Sequence, residues 1–218
     1  MHIAFIPDGN RRWAKSKGLA TSLGHYQGSE NFGKLLEACH KLKVDQVSLY
    51  VLSTENYLNR SPQEVDYLLN LLSDFTTSKR KQLLKNKISL KVHGRIEDLP
   101  ADKIKPVLAL VEETKNFKEF KLNIFINYGG RDEIVRAAQK ASLTGLITEQ
   151  SLAENLDLKD EPNLIIRTGG HSRISNFLLW QGAYSEWYFS DKLWPDFSPK
   201  DLETAIEFYN NQDRNFGK

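Results

Sequence analysis

The feature that most constrains this chain is an alternation, in which a short apolar run is followed by a longer segment of helical period and then by another run. The runs are Ile3-Ala-Phe-Ile6, Gln46-Val-Ser-Leu-Tyr-Val-Leu-Ser53, Ile88-Ser-Leu-Lys-Val-His93, Lys121-Leu-Asn-Ile-Phe-Ile-Asn127 and Asn163-Leu-Ile-Ile-Arg167, with a sixth at Glu186-Trp-Tyr-Phe189. Each is short and rich in β-branched or aromatic side chains, so each reads as a strand. Strands joined through helices, and apolar on both faces, predict an α/β fold: an open, mostly parallel six-stranded sheet flanked by helices. Helix starts keep the same register. Ser61-Pro62-Gln63-Glu64 reads as a capping box with proline at the first helical position, ahead of Val65, Leu68, Leu69, Leu72 and Phe75, and Ser198-Pro199-Lys200-Asp201 repeats the device. Pro106 predicts a helix that begins near it or bends there. With 218 residues and no linker, repeat or low-complexity stretch, residues 1–218 read as one domain.

Charge and cysteine content narrow the function classes. Lys and Arg number 30 against 28 Asp and Glu, a formal net charge of +2, so bulk electrostatics announce no nucleic-acid partner and any cationic site must be built locally. The single Cys39 excludes an internal disulfide and fits a reducing compartment. No leader-like segment precedes the first apolar run, and no stretch reaches the roughly 18 apolar residues of a membrane span. A cytoplasmic protein is the expectation.

In a parallel sheet, ligands bind beyond the carboxyl ends of the strands. After the first strand comes Asp8-Gly-Asn-Arg-Arg12; Gly9 lets backbone approach a ligand, Asn10 is placed to cap a helix starting near Arg11, and Arg11 and Arg12 add charge-assisted donors. A diphosphate suits this cluster. A carboxylate beside phosphate calls for a cation, so Asp8 suggests Mg²⁺; the alternative is a plain Asx turn. After the fifth strand, Arg167-Thr-Gly-Gly-His-Ser-Arg173-Ile174-Ser175 offers a second anion site, or an arginine pairing with surface acids. Ser53-Thr54-Glu55-Asn56 and Asn127-Tyr-Gly-Gly130 close two more strands, and Ser53 and Asn56 either bond a substrate or finish the strand. His25 in Gly24-His-Tyr-Gln-Gly28 is a phosphate donor or a structural histidine, and Glu186 a second metal-side carboxylate or an arginine's partner. Nucleotide-binding glycine loops, a G-x-S-x-G elbow and paired aspartates are all missing from the sequence.

Together these stretches resemble the cis-prenyltransferase family, whose bacterial members make undecaprenyl diphosphate. The resemblance runs the length of the chain: His2 to Ala14, Gly24-His25 with Gly28, Ser53 to Asn56, Asn127 to Gly130, Arg167 to Gly170, Arg173 to Gln181, Ala183 to Glu186, Leu193 to Phe197, and Arg214 with Phe216-Gly217. It implies condensation of isopentenyl diphosphate onto an allylic diphosphate, such as farnesyl diphosphate, with each new double bond cis. It implies Mg²⁺ held by Asp8 and Glu186, and an allylic diphosphate cradled by Gly9, Asn10, Arg11, Arg12, His25 and Arg60. Isopentenyl diphosphate would lie against Arg167, Arg173, Ile174 and Ser175. Trp13, Ser53, Thr54, Glu55 and Tyr57 would stand near the substrates, and Asn56 at the proton-transfer position. An apolar product tunnel would draw on Val51, Leu122, Ile124 and the Val65 to Phe75 face. A homodimer is implied, with Arg214 reaching a neighbouring site, and transient membrane contact for product release. Five departures stand out: Pro7 for a methionine, Arg11 for a glycine, Thr21 for an arginine, His171 for a glutamate, and one extra residue near Leu58 before Arg60.

Overall fold

The computed structural model describes residues 1–213; Arg214, Phe216 and Gly217, for which the resemblance carries expectations, lie outside the described residues. Six strands, β1 (His2–Ile6), β2 (Gln46–Ser53), β3 (Ile88–His93), β4 (Phe120–Tyr128), β5 (Leu164–Arg167) and β6 (Glu186–Phe189), form one sheet in the order β3-β4-β2-β1-β5-β6. Every neighbouring pair is parallel, so all six carboxyl ends share one edge. Eight α-helices accompany them among the described residues: α1 (Asn10–Ser16), α2 (Thr21–Lys41), α3 (Thr54–Asn59), α4 (Pro62–Lys85), α5 (Ala101–Thr114), α6 (Gly130–Ser142), α7 (Glu149–Glu154) and, after the last strand, α8 (Pro199–Asn210).

Both faces of the sheet are dry, which is why its strands read as unbroken apolar runs. One face carries Ile3, Phe5, Val47, Leu49, Leu122 and Ile124 against Phe32 and Leu35 of α2, Leu68 and Leu72 of α4, Val107 of α5 and Leu202 of α8. The other carries Ala4, Ile6, Tyr50, Phe125 and Ile165 against Leu158, Phe177 and Leu178. A buried polar ladder crosses that second face: His2 Nε2 to Ser48 Oγ at 2.8 Å, Asn123 Nδ2 to Ser48 Oγ at 3.3 Å, and His93 Nε2 to Asn123 Oδ1 at 3.0 Å.

Three local expectations are corrected. Asn10 does not cap α1; Gly9, at φ 109° in the left-handed region, takes that place, and Asn10 is the first helical residue. A side chain on Gly9 would also lie 2.7 Å from Leu193 Cδ2, so packing as well as backbone conformation demands glycine there. The capping box at Ser61 is half made: Ser61 Oγ accepts from the Glu64 amide at 3.3 Å, but the Glu64 carboxylate turns elsewhere. At Ser198 both halves are present. Of the two expectations at Pro106, a helix start near it is the one overturned, since α5 begins at Ala101 and runs through it.

Candidate active site

The order of the sheet places a switch point at β1, which pairs with β2 on one side and β5 on the other. Asp8 leaves the tip of β1, and Arg167 ends β5 beside Ile6. The two meet across the switch, with Arg167 donating from Nη2 to Asp8 Oδ2 at 2.8 Å and Arg12 donating to Asp8 Oδ1 at 3.1 Å. Thr168 fastens the same corner, since its Oγ accepts from the Asp8 amide at 3.0 Å and donates to the Asp8 carbonyl at 2.9 Å. Burial pushes the Asp8 carboxyl up, but the hydrogen bonds and charges of Arg167 and Arg12 outweigh it and hold the group below the usual carboxylate range.

Three hollows converge here. The first, about 700 Å³, is lined by Pro7, Asp8, Gly9, Asn10, Arg11, Arg12, His25 and Arg60, with Lys15, Leu19 and Thr21 at its rim. The second, about 290 Å³, holds Asp8, Ser53, Asn56, Arg60, Arg167, Arg173 and Ser175. The third, about 110 Å³, is mostly apolar and runs between α2, α4 and the sheet, past Leu68, Leu72, Val51 and Ile124 to Phe75. Pro7 and Arg60 line all three. The extra residue near Leu58 thus leaves Arg60 at the junction. The apolar hollow ends where Phe75 meets Phe32, ring centroids 5.6 Å apart, and Phe75 also lines a further hollow of about 220 Å³ toward Leu83 and Ile88.

The arginines differ in availability. Arg11 and Arg173 are exposed, and neither guanidinium has a hydrogen-bond or ion-pair partner among the described residues. Arg167 is 4% exposed and already engaged: besides Asp8 it bonds the Arg173 carbonyl and Ser175 Oγ, the latter at 2.6 Å, which leaves its buried Nε without a partner among the described residues. It therefore shapes the second hollow by fixing the 173–175 turn. His25 is buried, with Nε2 3.0 Å from Glu64 Oε1. Burial holds its pKa below the usual imidazole range despite the pull of Glu64. A neutral ring must donate Nε2–H to the carboxylate, which leaves Nδ1 an acceptor with no proton to offer a phosphate.

Several expected residues lie outside the hollows. Trp13 donates from Nε1 to Asp196 at 2.8 Å, and Tyr57 donates its hydroxyl to the Asp98 carbonyl at 3.1 Å. Glu55 accepts from Asn176 Nδ2 at 2.7 Å, Ile174 faces solvent, and Thr54 Oγ is buried without a partner among the described residues. Val65, Leu69 and Leu122 belong to the core rather than to the apolar hollow. Glu186 needs the largest correction. It begins β6 opposite Leu164, whereas Asp8 follows Ile6, which pairs with Arg167. That offset of three residues is about 10 Å along the strands, toward the amino edge, so within one chain Glu186 does not share an ion with Asp8.

Residues that sequence reasoning passed over hold the loops. Asn176, at φ 62°, bonds Glu55, the Arg131 amide at 2.9 Å and, through its carbonyl, the Gly130 amide at 2.7 Å. A side chain on Gly130 would come within 2.8 Å of Leu179, so the Gly129-Gly130 pair is what lets this loop close on β4. Asn176 sits inside the Arg173 to Gln181 stretch and Thr168 inside Arg167 to Gly170, where the sequence marks them as motif members without assigning a role.

A family model described as "Putative undecaprenyl diphosphate synthase" matches residues 6–217. The chain belongs to the cis-prenyltransferase family. An isoprenyl transferase of Fusobacterium nucleatum is 47% identical over 99% of this chain and 95% of its own length. A Thermoplasma acidophilum protein named tritrans,polycis-undecaprenyl-diphosphate synthase (geranylgeranyl-diphosphate specific) is 42% identical over 100% of this chain and 88% of its own. Among solved structures, lavandulyl diphosphate synthase from Lavandula x intermedia, in complex with dimethylallyl diphosphate, superposes with a TM-score of 0.94 at 33% identity, covering 100% of this chain and 98% of that one. As a cis-prenyltransferase, the chain is an isoprenoid-transferring enzyme of α/β fold, and its cation-lined and apolar hollows lie at the carboxyl edge of the sheet.

Proposed function

We propose that the chain, as one catalytic domain over residues 1–218, condenses isopentenyl diphosphate onto an allylic diphosphate, farnesyl diphosphate by preference, to build a cis-polyprenyl diphosphate of the undecaprenyl class for a cell-wall lipid carrier. The carrying observation is the convergence of two arginine-lined hollows and one apolar hollow on Pro7 and Arg60. The larger polar hollow suits the allylic diphosphate, with Arg11, Arg12 and Arg60 as donors; its hydrocarbon tail enters the apolar hollow. The smaller suits isopentenyl diphosphate, with Arg173 and Ser175 at its wall and Arg167 behind them.

In the reaction the allylic carbon–oxygen bond breaks, the isopentenyl double bond attacks that carbon, and a proton leaves. Arginines neutralise the departing diphosphate. Asn56 lines the isopentenyl hollow with its side chain unbonded among the described residues; a neutral amide is too weak a base to keep the proton, so it orients and relays while a diphosphate oxygen accepts. No group of three or more metal-ligating side chains occurs among the described residues. The donor set still fits Mg²⁺, which binds through one or two carboxylates plus phosphate oxygens and waters, and Asp8 is the residue that would hold it. Bound there, the ion would screen charge on the leaving diphosphate.

A homodimer is part of this reading: β6 is an edge strand, and Phe189 and the 73% exposed Tyr184 lie in and just before it. Among the described residues no helix is long and apolar enough to cross a membrane, so we propose a cytoplasmic enzyme that touches the membrane only to release product, with exposed Leu19 and Leu23 near the mouth. The test is incubation with labelled isopentenyl diphosphate and a series of allylic primers, with and without EDTA. Chain growth that EDTA stops is expected; no growth with any primer sinks the proposal.

A further inference from the structure

Glu64 lines none of the three hollows, yet two residues that line them, Arg60 and His25, depend on it. Its Oε1 takes the His25 Nε2 contact at 3.0 Å and lies 3.2 Å from Arg60 Nη1. The side chains are largely covered, Glu64 at 15% exposure. Its own position is fixed from below, because its amide is bonded to Ser61 Oγ and proline starts the helix. One acceptor oxygen at the base of α4 therefore orients a histidine of α2 and the arginine that closes α3.

We propose that Glu64 is a positioning residue for diphosphate recognition: it holds the Arg60 guanidinium at the junction of the hollows, and because the same oxygen sets the Nε2–H tautomer of His25, that tautomer reports whether the contact is made. This rests on the reading of those hollows as diphosphate sites. Arg60 is a long side chain with many rotamers at the end of a six-residue helix, and its neighbours are Arg11, which repels it, and Asp8, which attracts it. Without Glu64 the guanidinium falls toward Asp8, where it competes with Arg12 instead of facing an incoming anion. His25 loses the acceptor that fixes its tautomer, and the Nδ1–H form becomes accessible. The effect falls on binding. Glu64 touches no reacting atom, so KM carries the loss and kcat changes little.

The experiment compares wild type, Glu64→Ala and Glu64→Gln by calorimetric titration with inorganic diphosphate, by steady-state kinetics with the allylic primer, and by nitrogen-15 NMR of the His25 ring. Glu64→Ala should weaken inorganic diphosphate by about tenfold or more and raise the primer KM in proportion, with kcat within about threefold. Glu64→Gln keeps an acceptor oxygen and should restore affinity to within about threefold. His25 should be the Nε2–H tautomer in wild type and a mixture in Glu64→Ala. A helix-capping role alone would lower the melting temperature and move none of these. Unchanged or tighter diphosphate binding by Glu64→Ala, failure of Gln to restore it, or an Nδ1–H ring in wild type overturns the assignment. Should the Ala variant fail to fold, the Gln variant and the wild-type tautomer decide. Absence of elongation by wild type with every primer would remove the proposed reaction, while the inorganic diphosphate affinities would still judge Glu64.

Discussion

Replacing Asp8 tests the site and the fold together, because Asp8 is the counter-charge of a buried arginine. Arg167 is 4% exposed and Asp8 26%, and they meet at 2.8 Å. Removing one partner of a buried pair costs about 3–5 kcal/mol, chiefly from the charge left behind. Solvent reaches part of the Asp8 carboxylate, and Arg167 keeps its bonds to the Arg173 carbonyl and Ser175. We therefore expect Asp8→Ala to lose about 2–3 kcal/mol. Asp8→Asn retains one acceptor oxygen for the Arg167 guanidinium and gives up the charge and the bond from the exposed Arg12, for about 1 kcal/mol. In a chain of this size 1 kcal/mol moves the melting temperature by about 2–4 °C. The alanine variant should then melt about 4–12 °C below wild type and the asparagine variant about 2–4 °C below.

Denaturant titration and thermal melts of the three proteins decide this, with turnover measured well below the lowest midpoint. Both variants should lose at least about 100-fold in turnover, of the order seen when a transition-state charge stabiliser is removed. Only the asparagine result reads as chemistry, because its fold is nearly intact. An alanine variant as stable as wild type would show that Arg167 does not depend on Asp8 for charge balance. Full activity in Asp8→Asn would remove the carboxylate from the reaction.

Other consequences are checked more briefly. Gly28→Ala would put a Cβ 2.4 Å from Asn10 Oδ1 and 2.9 Å from Trp194 Cδ1; the overpacking should cost about 1–3 kcal/mol in denaturant titration and displace α1 enough to weaken diphosphate binding. Phe75→Leu should open the apolar hollow toward the one beyond it and shift product to longer chains on reversed-phase chromatography; an unchanged distribution would show that Phe75 is not the floor. Burial lowers His2 to about 4 and also lowers His93, against the ordinary 6.5. The unfolded chain therefore binds these protons more readily, so stability is full above pH 6.5 and falls as the pH drops toward 4. His2 alone contributes about 3 kcal/mol to that fall, and His2→Gln should flatten the slope of stability against pH between 6.5 and 4.

The strands were legible because a parallel sheet buried on both faces leaves its mark in local composition; Gln46–Ser53, Ile88–His93 and Glu186–Phe189 have the expected bounds. Strand ends were legible for the same reason, since a common direction gathers them at one edge. What the sequence hid is how a charged residue chooses among partners far away along the chain. Glu64 sits where a capping box would place it, and local spacing says nothing of His25, 39 residues earlier. Arg167 reads as a donor for an anion or as the partner of a surface acid, and only the closing of β5 on β1 makes it the partner of Asp8, 159 residues away. Glu186 shows the converse: a strand beginning at Glu186 was correct, but register relative to β5 sets which edge it occupies, and register needs the sheet. Asn10 does not take the capping place expected of it, because Gly9, in a backbone conformation closed to most side chains, starts the helix one residue earlier. The residues that face the hollows were thus readable from motif and strand end. The residues that hold them in place, Glu64, Thr168 and Asn176, work through contacts that only the fold creates.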